Sequence, residues 1–333
     1  MDASIIYESF KSLSTLEPSQ EGYHIIHLPA CQHKLGISNE KYPIFFIKTT
    51  DEKPIIPDLN LDILSVDYNQ DCTLIDDNHK RHSGTYSLLT LRNTEPTLQR
   101  YFIEICLLIL EKLREEPSRR ELATEVDDLI AIFTAIKAKG KKTVQGLWAE
   151  LLVIETSKYP EVLINAWHSS PSAKYDFTLG GDKIEVKSTS GDERVHHFSI
   201  DQLLHTAHSH LVIASTFVRE SGQGFGGLCI NDLYQKICKR VLNADSRFKL
   251  QKVMAETIGR DYTKLNSEFF DYVSARDTMA FYDSDNVPRI SREDVPTEVS
   301  KVEFDSNLSG VLDIKSDPEA KDFSSSALYR SIL

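Results

Sequence analysis

Cysteine is scarce in this chain: Cys31, Cys72, Cys106, Cys229 and Cys238 make five in 333 residues, an odd number with no Cys-x-x-Cys pair. That argues against a disulfide framework and a cysteine-held structural zinc, and for a reducing compartment such as the cytoplasm. No apolar run reaches the roughly 18 residues a spanning helix needs, and the opening MDASIIYESFK has no basic-then-apolar leader pattern. The expectation is a cytoplasmic protein with no membrane partner. Positive charge is also short: 38 Lys and Arg face 50 Asp and Glu, a net charge of −12. Such a chain repels polyanions at long range, so any phosphate-bearing ligand must be held by local patches. The shortage is uneven, because residues 137–252 carry sixteen basic and twelve acidic side chains. No internal repeat is present.

Within that basic-leaning segment, PSAKYDFTLGGDKIEVKSTS places Asp176, then eight residues, then Glu185-Val186-Lys187. Tyr175, Phe177 and Leu179 alternate with polar positions, Gly180-Gly181-Asp182 signals a turn, and Ile184 and Val186 resume the alternation. The pattern predicts two strands joined by a tight hairpin. Side chains alternate faces along a strand, so Glu185 and Lys187 share a face and the hairpin brings Asp176 back beside them. Two carboxylates with an adjacent ammonium suit phosphodiester hydrolysis. Magnesium binds through one or two carboxylates plus phosphate oxygens, lowers the pKa of its water and neutralises phosphoryl charge. Lys187 is then placed to orient the attacking water or steady the anionic transition state. The alternative is a solvated hairpin with ordinary surface charges. An acid two before a lysine recurs at Asp51/Lys53, Asp313/Lys315 and Glu319/Lys321, and Asp313 has Asp305 upstream across a stretch able to form a hairpin. The downstream residues separate the copies: a helix and an apolar strand after Lys187, the polar tail SDPEAKDFSSS after Lys315.

The segment TVQGLWAELLVI, residues 143–154, reads as a helix with Leu147, Leu151 and Ile154 on an apolar stripe that Glu150 interrupts. A carboxylate among so many apolar neighbours needs a partner, which a metal or Lys187 would supply, unless it lies on an exposed edge. QGLWAEL on a helix, a strand across 162–167 and the Asp176 hairpin together resemble the PD-(D/E)XK nuclease superfamily, whose core runs helix, three strands, helix, strand. The order QGLWAEL, AWHSSPSAKYDF, IEVKST, HHFSIDQL and NVPRISREDVPTEV is similar to a bacterial family known only as "PD-(D/E)XK motif protein". Its members typically sit beside DNA methyltransferases and ATPases in phage-defence gene clusters. The resemblance covers roughly residues 20–315, with Tyr175 in place of the motif proline and Ala149 in place of the commoner glycine.

That resemblance implies an α/β, restriction-endonuclease-like core with a mixed central sheet flanked by helices. It implies that Glu150, Asp176, Glu185 and Lys187 are catalytic, the first three holding Mg²⁺, with Mn²⁺ as a substitute. The implied activity is a metal-dependent DNA endonuclease of a restriction-modification or phage-defence system, with DNA, methyltransferase and ATPase subunits, or a second copy in a homodimer, as partners. An inactive nuclease-fold DNA-binding or scaffold subunit and an RNA-directed nuclease are the alternatives.

Four regions are expected: a β-rich part over 1–95, a helical connector over 96–140, the nuclease-like core over 141–245, and an α+β extension over 246–333. Short β-prone runs occupy 43–47, 61–68, 72–75 and 85–91, with 76–84 an exposed loop, and two helices follow Pro96 and Pro117. Lys137, Lys139, Lys141 and Lys142 precede the Glu150 helix and read either as a phosphate-contacting patch at its N-terminus or as a solvated helix end. Lys236, Lys239, Arg240, Arg247, Lys249 and Lys252 read as one helix face. Ser199-Ile200-Asp201-Gln202 has the form of a capping box, although Gln202 is equally well placed to face the active site. His205, His208 and His210 read as a helix-end surface cluster, since no fourth metal ligand is near. His196-His197 is close enough in sequence to Lys187 to contact a phosphate. GQGFGG, residues 222–227, lacks the Lys-Ser/Thr of a phosphate-binding loop and reads as a loop. Residues 299–304 and 311–314 are expected to pair as a hairpin, and those beyond about 316 to be loosely ordered.

Overall fold

The computed structural model describes residues 2–17, 19, 22–29, 31–50, 56–168, 173–203 and 209–333, which divide into two compact units, 1–134 and 135–333. The first unit opens with a helix that the β-rich expectation does not include, α1 (Ala3–Leu13), capped by Asp2 and burying Ile6, Tyr7, Phe10 and Leu13 along one face. Strands β1 (Tyr23–His27), β2 (Lys34–Ile37), β3 (Pro43–Ile47), β4 (Leu59–Asn60), β5 (Leu64–Ile75) and β6 (Arg81–Leu91) come next, then helices α2 (Pro96–Lys112) and α3 (Arg119–Lys137). The sheet runs β1-β2-β3-β6-β5-β4, and β1 also pairs in parallel with β5, closing a ring of five strands. The runs expected at 61–68 and 72–75 are one strand. Its register slips between Asp67 and Gln70, where Asn69 takes φ +50°, so a bulge interrupts the alternation without ending the ladder. The loop expected over 76–84 is shorter, since β6 already begins at Arg81.

The second unit contains α4 (Val144–Thr156), α5 (Pro160–Ala166), β7 (Phe177–Leu179), β8 (Asp182–Thr189), β9 (Val195–Ser199), α6 (Ile200–Leu203), β10 (His210–Phe217), β11 (Gly227–Leu228) and α7 (Ile230–Cys238). It continues through α8 (Ala244–Ile258), β12 (Phe270–Asp271), α9 (Tyr272–Asp277), β13 (Ala280–Asp283), β14 (Glu303–Asn307) and α10 (Ala327–Arg330). The protein is thus a mixed α/β chain. Its second unit is built on a four-stranded sheet ordered β13-β10-β8-β7, in which β8 and β10 run parallel and the two outer pairings are antiparallel. Helix α4 packs into the core of this unit. Leu147, Trp148, Leu151, Leu152 and Ile154 are buried, so the helix is apolar nearly all round rather than along one stripe.

Several expectations fail here. Residues 162–167 form helix α5 up to Ala166, with only Trp167 bridging to Phe177 in strand fashion. A short Val-Leu-Ile run fits either state, and Pro160 in the first turn with Glu161 after it favours the helix start. Strand β14 pairs with β9, more than a hundred residues earlier, and not with residues 311–314. The basic group from Lys236 to Lys252 is divided between α7, α8 and the turn between them, because α7 ends at Cys238 and Asn243, accepting from Ser246 N, caps a new helix. The tail is packed: Leu328 and Tyr329 are buried, and the Tyr329 hydroxyl donates to His210 O at 2.6 Å and accepts from Lys183 N at 3.1 Å. It thereby ties α10 to the starts of β8 and β10. No described helix is long and apolar enough to cross a membrane, and no disulfide joins any of the five cysteines.

Candidate active site

The hairpin forms as its alternation requires. Phe177 faces Ile184 and Leu179 faces Asp182, and Gly180 takes φ +60° in the turn, a conformation that disfavours any residue with a Cβ. Asp176 stands immediately before β7, where its Oδ2 accepts from Val186 N at 2.7 Å, so the backbone of one hairpin arm fixes the carboxylate of the other. Glu185 lies on β8, which is sandwiched between β7 and β10. Its Oε1 is 3.1 Å from Lys187 Nζ, as the shared face demands, and accepts from Gln202 Nε2 at 2.8 Å. Lys187 lies 4.9 Å from the centre of the Phe198 ring, an apolar and π-facing support for its ammonium.

Glu150 comes from α4, whose N-cap Thr143 accepts from Gly146 N at 3.1 Å. It is 1% exposed, so it does not sit on the helix edge. Its Oε2 accepts from Trp167 Nε1 at 2.6 Å and lies 3.0 Å from His168 Nε2; its Oε1 accepts from Lys142 Nζ at 2.5 Å. The same ammonium donates to Asp176 Oδ1, so one lysine joins two buried carboxylates. His168 adopts φ +37°, and its amide donates to Asp176 O at 2.8 Å. This strained residue links the end of α5 to the start of the hairpin.

The electrostatics arise from this crowding. Burial, reinforced by the charge of Glu150, raises the Asp176 carboxyl to about 6, and burial with the charge of Asp176 raises Glu185 to about 7. Burial also works against charge on Glu150, but Lys142 and His168 outweigh it and hold that carboxyl below its ordinary value. Burial opposes the charge of Lys142 as well, and Glu150, Asp176 and Glu185 together overcome it, keeping that ammonium well above the ordinary lysine range. Lys142 thus bridges two of three buried carboxylates, Glu150 and Asp176, and Lys187 stands beside the third, Glu185. An oxygen-rich, negatively biased donor set of this kind fits a hard divalent cation. Among the described residues Glu150, Asp176 and His168 each offer a ligand atom within 4.8 Å of the other two and could hold one; Glu185, expected from sequence as the third ligand, stands outside that group, beside Lys187 and Gln202.

The four residues singled out from sequence, Glu150, Asp176, Glu185 and Lys187, are therefore brought into one cluster, although Glu150 is partnered by Lys142, Trp167 and His168 rather than by Lys187. Gln202 closes the cap and also meets Glu185. Its Oε1 accepts from Ser199 N at 3.0 Å while Ser199 Oγ accepts from Gln202 N at 3.3 Å, completing the cap, and its amide nitrogen holds Glu185. The lysine cluster divides: Lys137, Lys139 and Lys141 are exposed, whereas Lys142 turns inward. Sequence reasoning missed Lys142, His168 and Trp167 as members of the site, and the one available signal was the grouping of Trp167 and His168 just upstream of Asp176.

The remaining candidates have other partners. Asp305 stands on β14 with its Oδ1 3.0 Å from His197 Nδ1 on the neighbouring strand. Asp313 accepts from Lys315 N at 2.9 Å, closing its own turn, and the Lys315 ammonium lies over the Phe281 ring. His196 is buried against Ser215 Oγ at 2.7 Å, and burial with the nearby Lys187 and Arg194 charges lowers its pKa to about 4. It is neutral at pH 7. His205, His208, Asp51 and Lys53 lie outside the described residues. GQGFGG forms a short 3-10 turn and the start of β11. A second group of ligand-type side chains, His27, Asp76 and His82, sits in the first unit. There Asp76 Oδ1 accepts from Asn78 N and Lys80 N, both at 2.9 Å, so that carboxylate shapes the β5–β6 hairpin turn.

The family described as "Putative PD-(D/E)XK family member" (DUF4420) matches residues 6–309, and the chain belongs to it. No curated protein and no solved structure matches the chain.

Proposed function

From membership in this family, we propose that the protein is a metal-dependent endonuclease that hydrolyses DNA phosphodiester bonds in a bacterial restriction-modification or phage-defence system. The superfamily consists generally of nucleases, and one observation supports carrying that activity to this chain: Glu150, Asp176 and Glu185 are buried together with Lys187 alongside. Burying three carboxylates is costly unless cations offset their charge; Lys142 and Lys187 do so here, yet Asp176 and Glu185 remain raised towards neutrality, which suits a cluster that takes up a metal cation. Mg²⁺ or Mn²⁺ bound by these carboxylates would supply charge neutralisation for the phosphoryl oxygens and a lowered pKa for the attacking water.

The chain's own groups account for the rest. Lys187 carries a cationic charge next to Glu185, on the face of β8 where an incoming phosphate would meet the carboxylates, and it offsets negative charge that grows in the transition state. Gln202 is a positioning residue, because its amide fixes one Glu185 oxygen while its own backbone is locked by the Ser199 cap. Trp167 and His168 do the same for Glu150. The exposed Lys137, Lys139 and Lys141 precede α4 and offer phosphate contacts that the acidic remainder of the protein does not.

The test is cleavage of double- and single-stranded DNA and of RNA in Mg²⁺ or Mn²⁺ by the wild type and by Lys187→Met. A catalytic cation matters most when the phosphoryl group gains charge, so the variant should lose about 10²- to 10³-fold in cleavage rate while keeping substrate and metal affinity. Absence of cleavage by the wild type on every substrate, with Lys187→Met merely weakening binding, would make the protein a nuclease-fold binder instead.

A further inference from the structure

We propose that Lys142 is a built-in counter-cation of the carboxylate cluster: its ammonium fills the place a divalent ion requires and swings out, towards Glu256, when that ion binds. This rests on the reading of the cluster as a divalent-cation site. The two cations would compete for the same oxygens. Lys142 Nζ contacts Glu150 Oε1 at 2.5 Å and also contacts Asp176 Oδ1. Magnesium needs those oxygens at roughly 2.0–2.1 Å. An ammonium and a divalent ion a few ångströms apart in a buried pocket repel strongly, so binding is an exchange of cations and not an addition.

The backbone bearing Lys142 is fixed, which confines the exchange to its side chain. Lys141 N and Lys142 N both donate to Thr257 O, at 2.8 and 3.3 Å, and Lys139 bridges to Gly259. Gly140 approaches α8 so closely that a Cβ there would lie 2.4 Å from Ile258 O. Thr143 then caps α4. The Lys142 side chain, by contrast, is 29% exposed and borders a cavity of about 150 Å³ also lined by His168, Val253, Glu256 and Thr257. Among the described lining residues Glu256 supplies the sole carboxylate. The four-carbon stem of a lysine can therefore turn its ammonium from Glu150 and Asp176 towards that second acceptor without moving the main chain.

The exchange has two effects. The metal-free cluster is stabilised by its own cation, and apparent metal affinity is lowered by the need to expel it. Calorimetric titration of Mn²⁺ into the wild type and Lys142→Met reads the second directly: the variant should bind Mn²⁺ about tenfold or more tightly, from a metal-free state with a lower Tm. Equal or weaker Mn²⁺ binding by folded Lys142→Met would overturn the exchange while leaving the cation site in place. Absence of Mn²⁺ binding in both proteins would overturn the site itself, and the exchange with it. A measurement on the unmodified chain guards against a variant that fails to fold. Acetylation of Lys142, followed by mass spectrometry, should be slow without metal and rise several-fold in saturating Mn²⁺; a rate that Mn²⁺ does not change overturns the exchange.

Discussion

Asp176 with Glu185-Val186-Lys187 and Asp305 with Asp313-Ile314-Lys315 are near-copies in sequence that end in opposite environments. In the first, both carboxylates are buried, one pinned by a backbone amide and the other by Gln202 and Lys187, and α4 adds a third carboxylate. In the second, Asp305 faces His197 on the exposed side of the β9–β14 pair while Asp313 caps its own turn and Lys315 leans on Phe281. The acid-x-lysine tripeptide is shared, with an upstream aspartate one residue nearer in the second copy, but convergence and burial are not. The difference arises because β7 and β8 form a true hairpin inside a sheet that α4 covers, whereas β14 leaves its sequence neighbours and pairs with β9. Convergence and burial therefore depend on the pairing of the strands rather than on the tripeptide.

Substitution at equivalent positions is the sharpest way to break this contrast. Asp176→Ala should lower Mg²⁺-dependent cleavage by about a thousandfold or more, because it removes a carboxylate from the proposed metal site, while Asp313→Ala should change it little. Both proteins should keep wild-type circular dichroism. The reverse ranking would assign the activity to the 305–315 copy.

A smaller effect is expected in the pH dependence of stability. Asp176 and Glu185 have folded-state pKa values raised above those of free side chains, to about 6 and about 7. Stability from groups shifted upward is fully present below the unfolded values near 4 and is lost as pH rises through the folded ones. The Tm of the metal-free protein should therefore fall by several degrees between pH 5 and pH 8, and Mn²⁺ should restore more of it at pH 8 than at pH 5. Glu185→Gln should flatten the profile, with Asp313→Asn as the control. A profile unaltered by Glu185→Gln would mean that the crowding at the first copy has no energetic consequence.

The smallest expected effect concerns the exposed lysines. Replacing Lys137, Lys139 and Lys141 with serine should weaken DNA binding on all sequences alike and flatten the slope of log affinity against log salt by about one unit for each lysine that contacts phosphate. Lys142 is left out of this set because its ammonium is engaged by Glu150 and Asp176. An unchanged slope would assign the three lysines to an ordinary solvated surface.

The features legible in the sequence are those set by neighbours along the chain. The Asp176 hairpin is written in two-residue alternation and a Gly-Gly turn, and the anomaly of Glu150 in an apolar helix is visible in a window of a dozen residues. The cap from Ser199 to Gln202 is equally local, but that Gln202 also holds Glu185 depends on tertiary placement. Helix α5 escapes because a short apolar run fits two periods. The β9–β14 pairing and the seat of Tyr329 escape because they join segments more than a hundred residues apart with no local signal. Lys142 is hidden in a cluster of similar lysines, and only its side-chain direction separates it from them. His168 offers only its grouping with Trp167 just upstream of Asp176.

The central claim is that Glu150, Asp176 and Glu185 form a divalent-cation site serving phosphodiester cleavage. Calcium tests it most directly, because its looser coordination supports binding at oxygen-ligand sites without the octahedral geometry that magnesium demands. The wild type should bind DNA more tightly in Ca²⁺ than in EDTA without cutting it, and the preformed complex should cleave when Mg²⁺ is added. DNA binding that is indifferent to Ca²⁺, with no cleavage on adding Mg²⁺, would contradict the account.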